Sequence, residues 1–335
     1  MWLLRKLSFP LSLIYALVVC LRNYLYDQGI FPSRSFETPT VCIGNLSVGG
    51  TGKTPMIEFL ISQFKDGLDL VVLSRGYGRK TKGFIEATKN TRVEEIGDEP
   101  FQIQTKFPSI KVIVDEDRSN ALSIIEDISK PDLILLDDAF QHRKVKPSIS
   151  ILLTTYDNLF VNDWYLPTGN LRDSKREVRR AHIIVVTKCP SSLKVVDQER
   201  IVQMLKPAVH QRVLFSYLEY GKQFIREDKS IGFNAIKNKK ITLVTGIANP
   251  KPLLEFLNLN NVEVNHLKYK DHHFFTEREI ELFNEKELIL TTEKDYVRLK
   301  NKVQNMCFIP IKHKFFGEGK EEIVNAITNT MKLNP

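Results

Sequence analysis

The run Gly44-Asn45-Leu46-Ser47-Val48-Gly49-Gly50-Thr51-Gly52-Lys53-Thr54 is where the residue types and spacing most directly suggest chemistry. Gly49, Gly50, Thr51 and Gly52 form a loop whose backbone N–H groups can curl around phosphate oxygens. The N-terminus of the helix that follows adds its positive end. Lys53 is spaced to bridge the β- and γ-phosphates of a nucleotide, and Thr54 to ligate magnesium. The strict phosphate-loop pattern has glycine where this chain has Ser47, a departure that the neighbouring glycines soften. The alternative is a glycine-rich turn with an incidental lysine, but an apolar run before the motif and a helical pattern after it supply the setting a phosphate loop needs.

A second acidic element closes an apolar run, Leu133-Ile134-Leu135-Leu136-Asp137-Asp138. Carboxylates at the C-terminal end of a strand face the same crevice as the phosphate loop, where Asp137 or Asp138 can hold magnesium. Taken alone this signal is common. Between the two lies Ile96-Gly97-Asp98-Glu99-Pro100, read as a turn with adjacent acids, able to accept a hydroxyl proton and hold metal, or simply a solvated turn. Asp271-His272-His273-Phe274 could tune a proton acceptor, or could be plain surface. Arg172, Arg176, Arg179 and Arg180 fall on one helical face, a stripe that could meet phosphates or an anionic leaflet, or be only solvated.

These residues need a frame. Residues 40–43, 68–73, 111–114, 133–136, 150–154 and 183–187 read as buried strands, with helical stretches at 55–64 and 119–128 between them. The alternation predicts a parallel sheet. Residues 213–220 read as extended, and a second series follows at 241–245, 252–257, 262–267 and 288–291. The strand 307–311 and the helix 321–331 then return toward the first domain. The expected class is α/β: a P-loop NTPase-like parallel sheet flanked by helices, a second smaller α/β domain and an N-terminal membrane-associated helix. The expected boundaries are 1–31, 32–212, 213–315 and 316–335.

Composition bounds the rest. The 335 residues are 42% hydrophobic and 26% charged, the balance of a folded globular chain. A formal charge of +8 suits an anionic partner. The four cysteines are scattered, without the pairing of a zinc site, and point to a reduced compartment. No nucleic-acid module accompanies the basic residues, so no nucleic-acid partner is expected. The nearly uncharged run at 7–21, flanked by Arg5, Lys6 and Arg22, is short for a transmembrane span and suits a monotopic anchor; a core helix and a signal peptide are the competing readings.

Read in order, these segments resemble the tetraacyldisaccharide 4'-kinase family of lipid A synthesis. Residues 43–55 resemble its extended phosphate loop, Leu73-Ser74-Arg75-Gly76-Tyr77-Gly78 its next strand end, and Gly97-Asp98-Glu99-Pro100 its acidic turn. Residues 137–143 resemble its double-aspartate element, 167–172 its Pro-x-Gly-x-Leu-Arg segment, 271–274 its late Asp-His motif, and 291–295 a further segment. The resemblance spans almost the whole chain.

It implies transfer of the γ-phosphate of ATP, with Mg2+, to the 4'-hydroxyl of an acylated glucosamine disaccharide 1-phosphate, beside membrane lipid on the cytoplasmic face of the bacterial inner membrane. It also implies roles: Lys53 and Thr54 for phosphates and magnesium, Asp98 as catalytic base activated by His272, Glu99, Asp137 and Asp138 for the metal, and Arg118 and Arg172 for phosphate. Two positions depart from the family pattern, Asp173 where it often has Glu and His182 where it often has Asp. A soluble small-molecule kinase and a membrane-bound switch ATPase are the alternatives. Val186-Thr187-Lys188-Cys189-Pro190 lacks the aspartate of a guanine-reading motif, although Glu293-Lys294 partly mimics one.

Overall fold

A computed structural model of the protein describes residues 5, 7–227, 229–236, 239–271 and 273–332. Two sheets organise it. The larger has nine strands in the order β15-β8-β7-β6-β1-β5-β2-β4-β3. Its centre is β1 (Thr40–Asn45), β5 (Leu133–Asp137), β2 (Leu70–Ser74) and β4 (Lys111–Val114) on one side, and β6 (Ile149–Thr155), β7 (Ile183–Thr187) and β8 (Arg212–Tyr220) on the other. These run parallel, with Ile43 opposite Asp137 in register. The edges are antiparallel: β3 (Ile85–Glu86) on β4 and β15 (Ile311–Phe315) on β8.

The continuous apolar strands follow from burial on both faces. Val41, Ile43, Leu133 and Leu135 point into one core, with the helix Lys53–Phe64 and with Ile323 and Ile327 of the C-terminal helix Gly319–Lys332. Cys42, Ile134 and Leu136 point into the other, with Leu122 and Ile125 of the helix Arg118–Ile128.

The second sheet has six strands, β10 (Lys229–Ile231), β9 (Phe224–Arg226), β14 (Met306–Ile309), β13 (Leu288–Thr292), β11 (Ile241–Thr245) and β12 (Val264–Lys268), in that order. The connecting strands β8 and β15 both bond into the nine-stranded sheet, so the smaller sheet is built from residues 224–309. The single strand expected at 307–311 is two, β14 and β15, one in each sheet. Pro310 separates them because it has no N–H to continue a ladder. At this crossing the Gly221 N–H donates to the Pro310 carbonyl at 2.8 Å. A Cβ on Gly221 would lie 2.7 Å from the proline ring, so the two connectors approach more closely than a side chain allows.

The N-terminal helix Phe9–Asp27 begins with Pro10 in its first turn, where the missing N–H is harmless. By length and composition alone it could cross a membrane. Only one stripe is buried, Ser12, Val19 and Asn23, whereas Leu7, Leu11, Leu13, Ile14, Leu17, Val18 and Leu21 are exposed.

Candidate active site

The phosphate loop sits where the pattern placed it, after β1 and before the helix Lys53–Phe64. Gly49 and Gly52 have φ of +113° and +92°, the left-handed region that glycine enters without strain. Ser47 does not use that region, so glycine is not required there. Its hydroxyl instead donates to Asp163 at 3.1 Å, and the adjacent Val48 N–H donates to the Asn170 carbonyl at 2.7 Å. The loop's carbonyls are held from outside. Thr187 Oγ1 donates to the Thr51 carbonyl at 2.7 Å, and His313 Nε2 lies 3.1 Å from the Gly52 carbonyl.

Burial pushes the His313 imidazole down to about 4, although the Gly52 carbonyl opposes this, so the ring is neutral near pH 7. Ser216 Oγ lies 3.1 Å from Nδ1, which suits a tautomer whose Nε2–H donates to Gly52. His313→Ala should therefore orphan the Gly52 carbonyl and loosen the loop. A loss of about 1–1.5 kcal/mol raises the KM for ATP roughly five- to tenfold in an ATP titration, with a smaller change in kcat. An unchanged KM would count against this anchor.

Asn45, at the end of β1, is the hub of the polar centre. Its Oδ1 accepts from Lys53 Nζ at 3.4 Å and from Arg172 Nη2 at 2.6 Å. Arg172 also grips both oxygens of Asp138, with Nη1 to Oδ2 at 3.0 Å, and Lys53 Nζ lies 3.7 Å from Asp138. Burial would raise the Asp138 carboxyl, but Lys53 and Arg172 hold it below the ordinary carboxylate range. Asp137 is pushed up to about 6 by burial and then by the Asp138 charge, with Glu99 acting in the same direction and Lys53 against it. Ser74 Oγ donates to Asp137 at 3.1 Å. Arg118 is buried beside them, its Nη2 3.5 Å from the Asp138 carbonyl.

The rest of the double-aspartate run is scaffold. A Cβ on Gly44 would meet Phe140 Cβ at 2.5 Å, so this turn and β1 touch directly. Gln141 donates to the Asn45 carbonyl at 2.8 Å.

Asp98 and Glu99 differ from the expected turn: they open the helix Asp98–Lys106. Gly97 precedes it at φ +88°, and a Cβ there would come within 2.7 Å of the Tyr77 carbonyl, so the acidic segment packs against the turn after β2. Asp98 is buried and paired with Arg298, whose Nε donates to Oδ1 at 2.9 Å. Glu99 lies 3.5 Å from Lys294. His272 lies outside the described residues. Its neighbour Asp271 pairs with Lys294 at 3.4 Å, while His273 lies 3.0 Å from Glu279 and stacks on Tyr269.

The basic stripe is corrected. Residues 175–180 form a 3₁₀ helix that begins after Arg172. Arg179 and Arg180 are turned onto Asp27 and Glu177, and Arg180 stacks on Phe140. Arg179, with Arg143, thereby docks the N-terminal helix at Asp27, and that helix also bonds through Ser12 to Thr168 at 2.7 Å, through Tyr15 to the Arg172 carbonyl at 3.1 Å and through Asn23 to Asp173 at 2.8 Å. The shorter Asp173 thus serves this docking. His182 accepts from the Ser150 N–H at 3.0 Å at the N-terminal edge of the sheet, opposite the crevice.

Sequence reasoning missed Asn45, Thr187, Lys294, Arg298 and His313. The available signal was the 294/298 spacing, which puts two cations on one helical face.

Among the described residues no three acidic, histidine or cysteine side chains form a ready-made metal cage. The adjacent Asp137 and Asp138 near Lys53 still suit magnesium, which takes one or two carboxylates and fills its shell with phosphate oxygens and water. The buried Thr51 hydroxyl has no partner among the described residues, leaving a polar group in the loop for a ligand to satisfy.

The chain is similar to known proteins along its whole length. Tetraacyldisaccharide 4'-kinase of Flavobacterium johnsoniae is 46% identical over 319 residues, covering 93% of both chains. The enzyme of that name from Flavobacterium psychrophilum is 42% identical over 338 residues, covering 98% of both. A crystal structure of LpxK from Aquifex aeolicus, described as an "apo" form in complex with ATP, superposes with a TM-score of 0.79 at 28% identity, covering 98% of this chain and 99% of that one. The family described as Tetraacyldisaccharide-1-P 4'-kinase matches residues 4–332, and with relatives this similar the chain belongs to that family.

Proposed function

We propose that this chain transfers the γ-phosphoryl group of ATP to the 4'-hydroxyl of tetraacyldisaccharide 1-phosphate. Its substrate head group would meet ATP in the crevice between the two sheets. The observation that carries the reading is the convergence of Lys53, Asn45, Asp138 and Arg172 at the C-terminal ends of β1 and β5, in a chain of this family. The loop N–H groups and Lys53 would hold the β- and γ-phosphates. Arg172, now shared between Asp138 and Asn45, would stabilise charge on the transferring group. Asp98 would take the hydroxyl proton, with His272 as its partner. Magnesium, held by Thr54, Asp137, Asp138 and Glu99, would supply neutralisation of phosphate charge when bound.

The N-terminal helix supports a monotopic or peripheral place on the cytoplasmic face of the bacterial inner membrane. Its polar stripe bonds to residues 168–173 beside the site, while its apolar face, including Ile14 at 60% and Leu17 at 70% exposure, is free to enter the acyl boundary. Leu13→Asp with Leu17→Asp should abolish sedimentation with liposomes and leave ATP binding within about twofold, because neither residue contributes to the buried docking stripe. Retained liposome binding would remove the anchor reading.

The decisive assay is transfer of labelled γ-phosphate from ATP to tetraacyldisaccharide 1-phosphate in detergent micelles. Labelled lipid supports the proposal. Hydrolysis that needs no acceptor would favour a switch ATPase, and transfer to a water-soluble alcohol alone would favour a small-molecule kinase.

A further inference from the structure

Arg298 belongs to the helix Glu293–Leu299, which follows β13 of the smaller sheet, and its side chain is only 5% exposed. It reaches across to the larger lobe. Nε and Nη2 take the two oxygens of Asp98, with Nε to Oδ1 at 2.9 Å. At the same time Nη1 donates to the His273 carbonyl at 3.3 Å, and the guanidinium lies 5.9 Å from the centre of the Phe274 ring. One side chain therefore joins the acidic segment that opens the helix Asp98–Lys106 to the loop that carries the late Asp-His motif.

The fork is braced from behind. Asp295 Oδ1 lies 3.5 Å from Nη1, and its Oδ2 accepts from the Gly246 N–H and from Thr292 Oγ1, each at 2.8 Å. One turn before Arg298, Lys294 pairs with Glu99 and Asp271, and Lys106 sits between Glu58 and Glu293. The two facing helices are thus joined at several points, and Arg298 grips Asp98 with a planar, two-pronged geometry. That geometry fixes the plane of a carboxylate while leaving other lone pairs on its oxygens to accept a proton.

We propose that Arg298 is a positioning residue: supplied by the smaller lobe, it orients the Asp98 carboxylate relative to the backbone at His273 and Phe274, so the proton acceptor is aligned only when the lobes are together. This rests on Asp98 accepting the proton, as proposed above. It gives the Thr291-Thr292-Glu293-Lys294-Asp295 segment a purpose, since Asp295 aims the arginine and Lys294 holds the neighbouring acid.

The test compares Arg298→Met, Arg298→Lys, Asp98→Asn and the Arg298→Met/Asp98→Asn double variant in the full-length protein. Lipid phosphorylation is followed in micelles, ATP binding by calorimetry without acceptor, and folding by thermal melting. Arg298→Met is expected to lower kcat about 10- to 100-fold, the scale of a misplaced reacting group, with ATP affinity changed less than about threefold. Arg298→Lys should recover part of kcat, and the double variant should be no slower than Asp98→Asn. If Arg298→Met melts early, the Arg298→Lys deficit in kcat at unchanged ATP affinity carries the same comparison. The proposal is overturned if neither Arg298 variant lowers kcat while Asp98→Asn does, or if the two losses multiply in the double variant. Full turnover by Asp98→Asn would instead overturn the assignment of the proton acceptor itself.

Discussion

Replacing Lys53 with alanine is expected to lower phosphoryl transfer by roughly 10²- to 10³-fold, the scale seen when one preorganised stabiliser of transition-state charge is removed. Its ammonium stands 3.4 Å from Asn45 Oδ1 and 3.7 Å from Asp138, at the end of a loop whose carbonyls are tied back by Thr187 and His313. The loop's shape does not depend on the lysine, because those anchors and the Asp138–Arg172 pair remain in the variant. The loss should therefore appear in ATP affinity and in turnover, with little change in melting temperature. Steady-state transfer to the lipid and calorimetric ATP binding, read together, check this. A variant that binds ATP normally and still transfers phosphate would place the nucleotide elsewhere.

The phosphate loop was legible because its chemistry is local: glycines, lysine and threonine within a few residues, between a strand and a helix. Asp137 and Asp138 were legible for a related reason, since an apolar strand that ends in acids beside such a loop must open into the same crevice. The strand series was equally readable, because both faces of the sheet are buried and the strands are continuous apolar runs.

What escaped was carried by contacts distant in sequence. Asp98 and Arg298 are 200 residues apart, and no spacing rule links them. The anchor from His313 to Gly52 depends on β15 returning beside the loop after Pro310 breaks the predicted strand. Arg179 and Arg180 looked like part of a ligand surface because sequence shows their charge and not Asp27, Asp173 and Glu177, the acids that meet them. Ser47 looked like a defect in the loop, yet its hydroxyl is a tie to Asp163.

Asp98→Asn is the more discriminating substitution. The amide keeps the size of the side chain and one acceptor oxygen, so Arg298 retains part of its grip, but the group can no longer take up the 4'-hydroxyl proton. Turnover should fall about 10²- to 10⁴-fold, the usual contribution of a general base, while ATP binding stays close to that of the unmodified protein because Asp98 pairs with Arg298 of the smaller lobe. The size of the loss carries mechanistic weight. In a loose phosphoryl-transfer transition state little bonding to the attacking oxygen has formed and its proton has gained little acidity, so removing a base can cost less than removing Lys53. A loss near the upper end would mean that proton removal accompanies attack, whereas a loss below about tenfold would assign Asp98 chiefly to orienting the hydroxyl. Measuring single-turnover transfer with preformed enzyme–ATP complex separates that chemical step from substrate binding and product release.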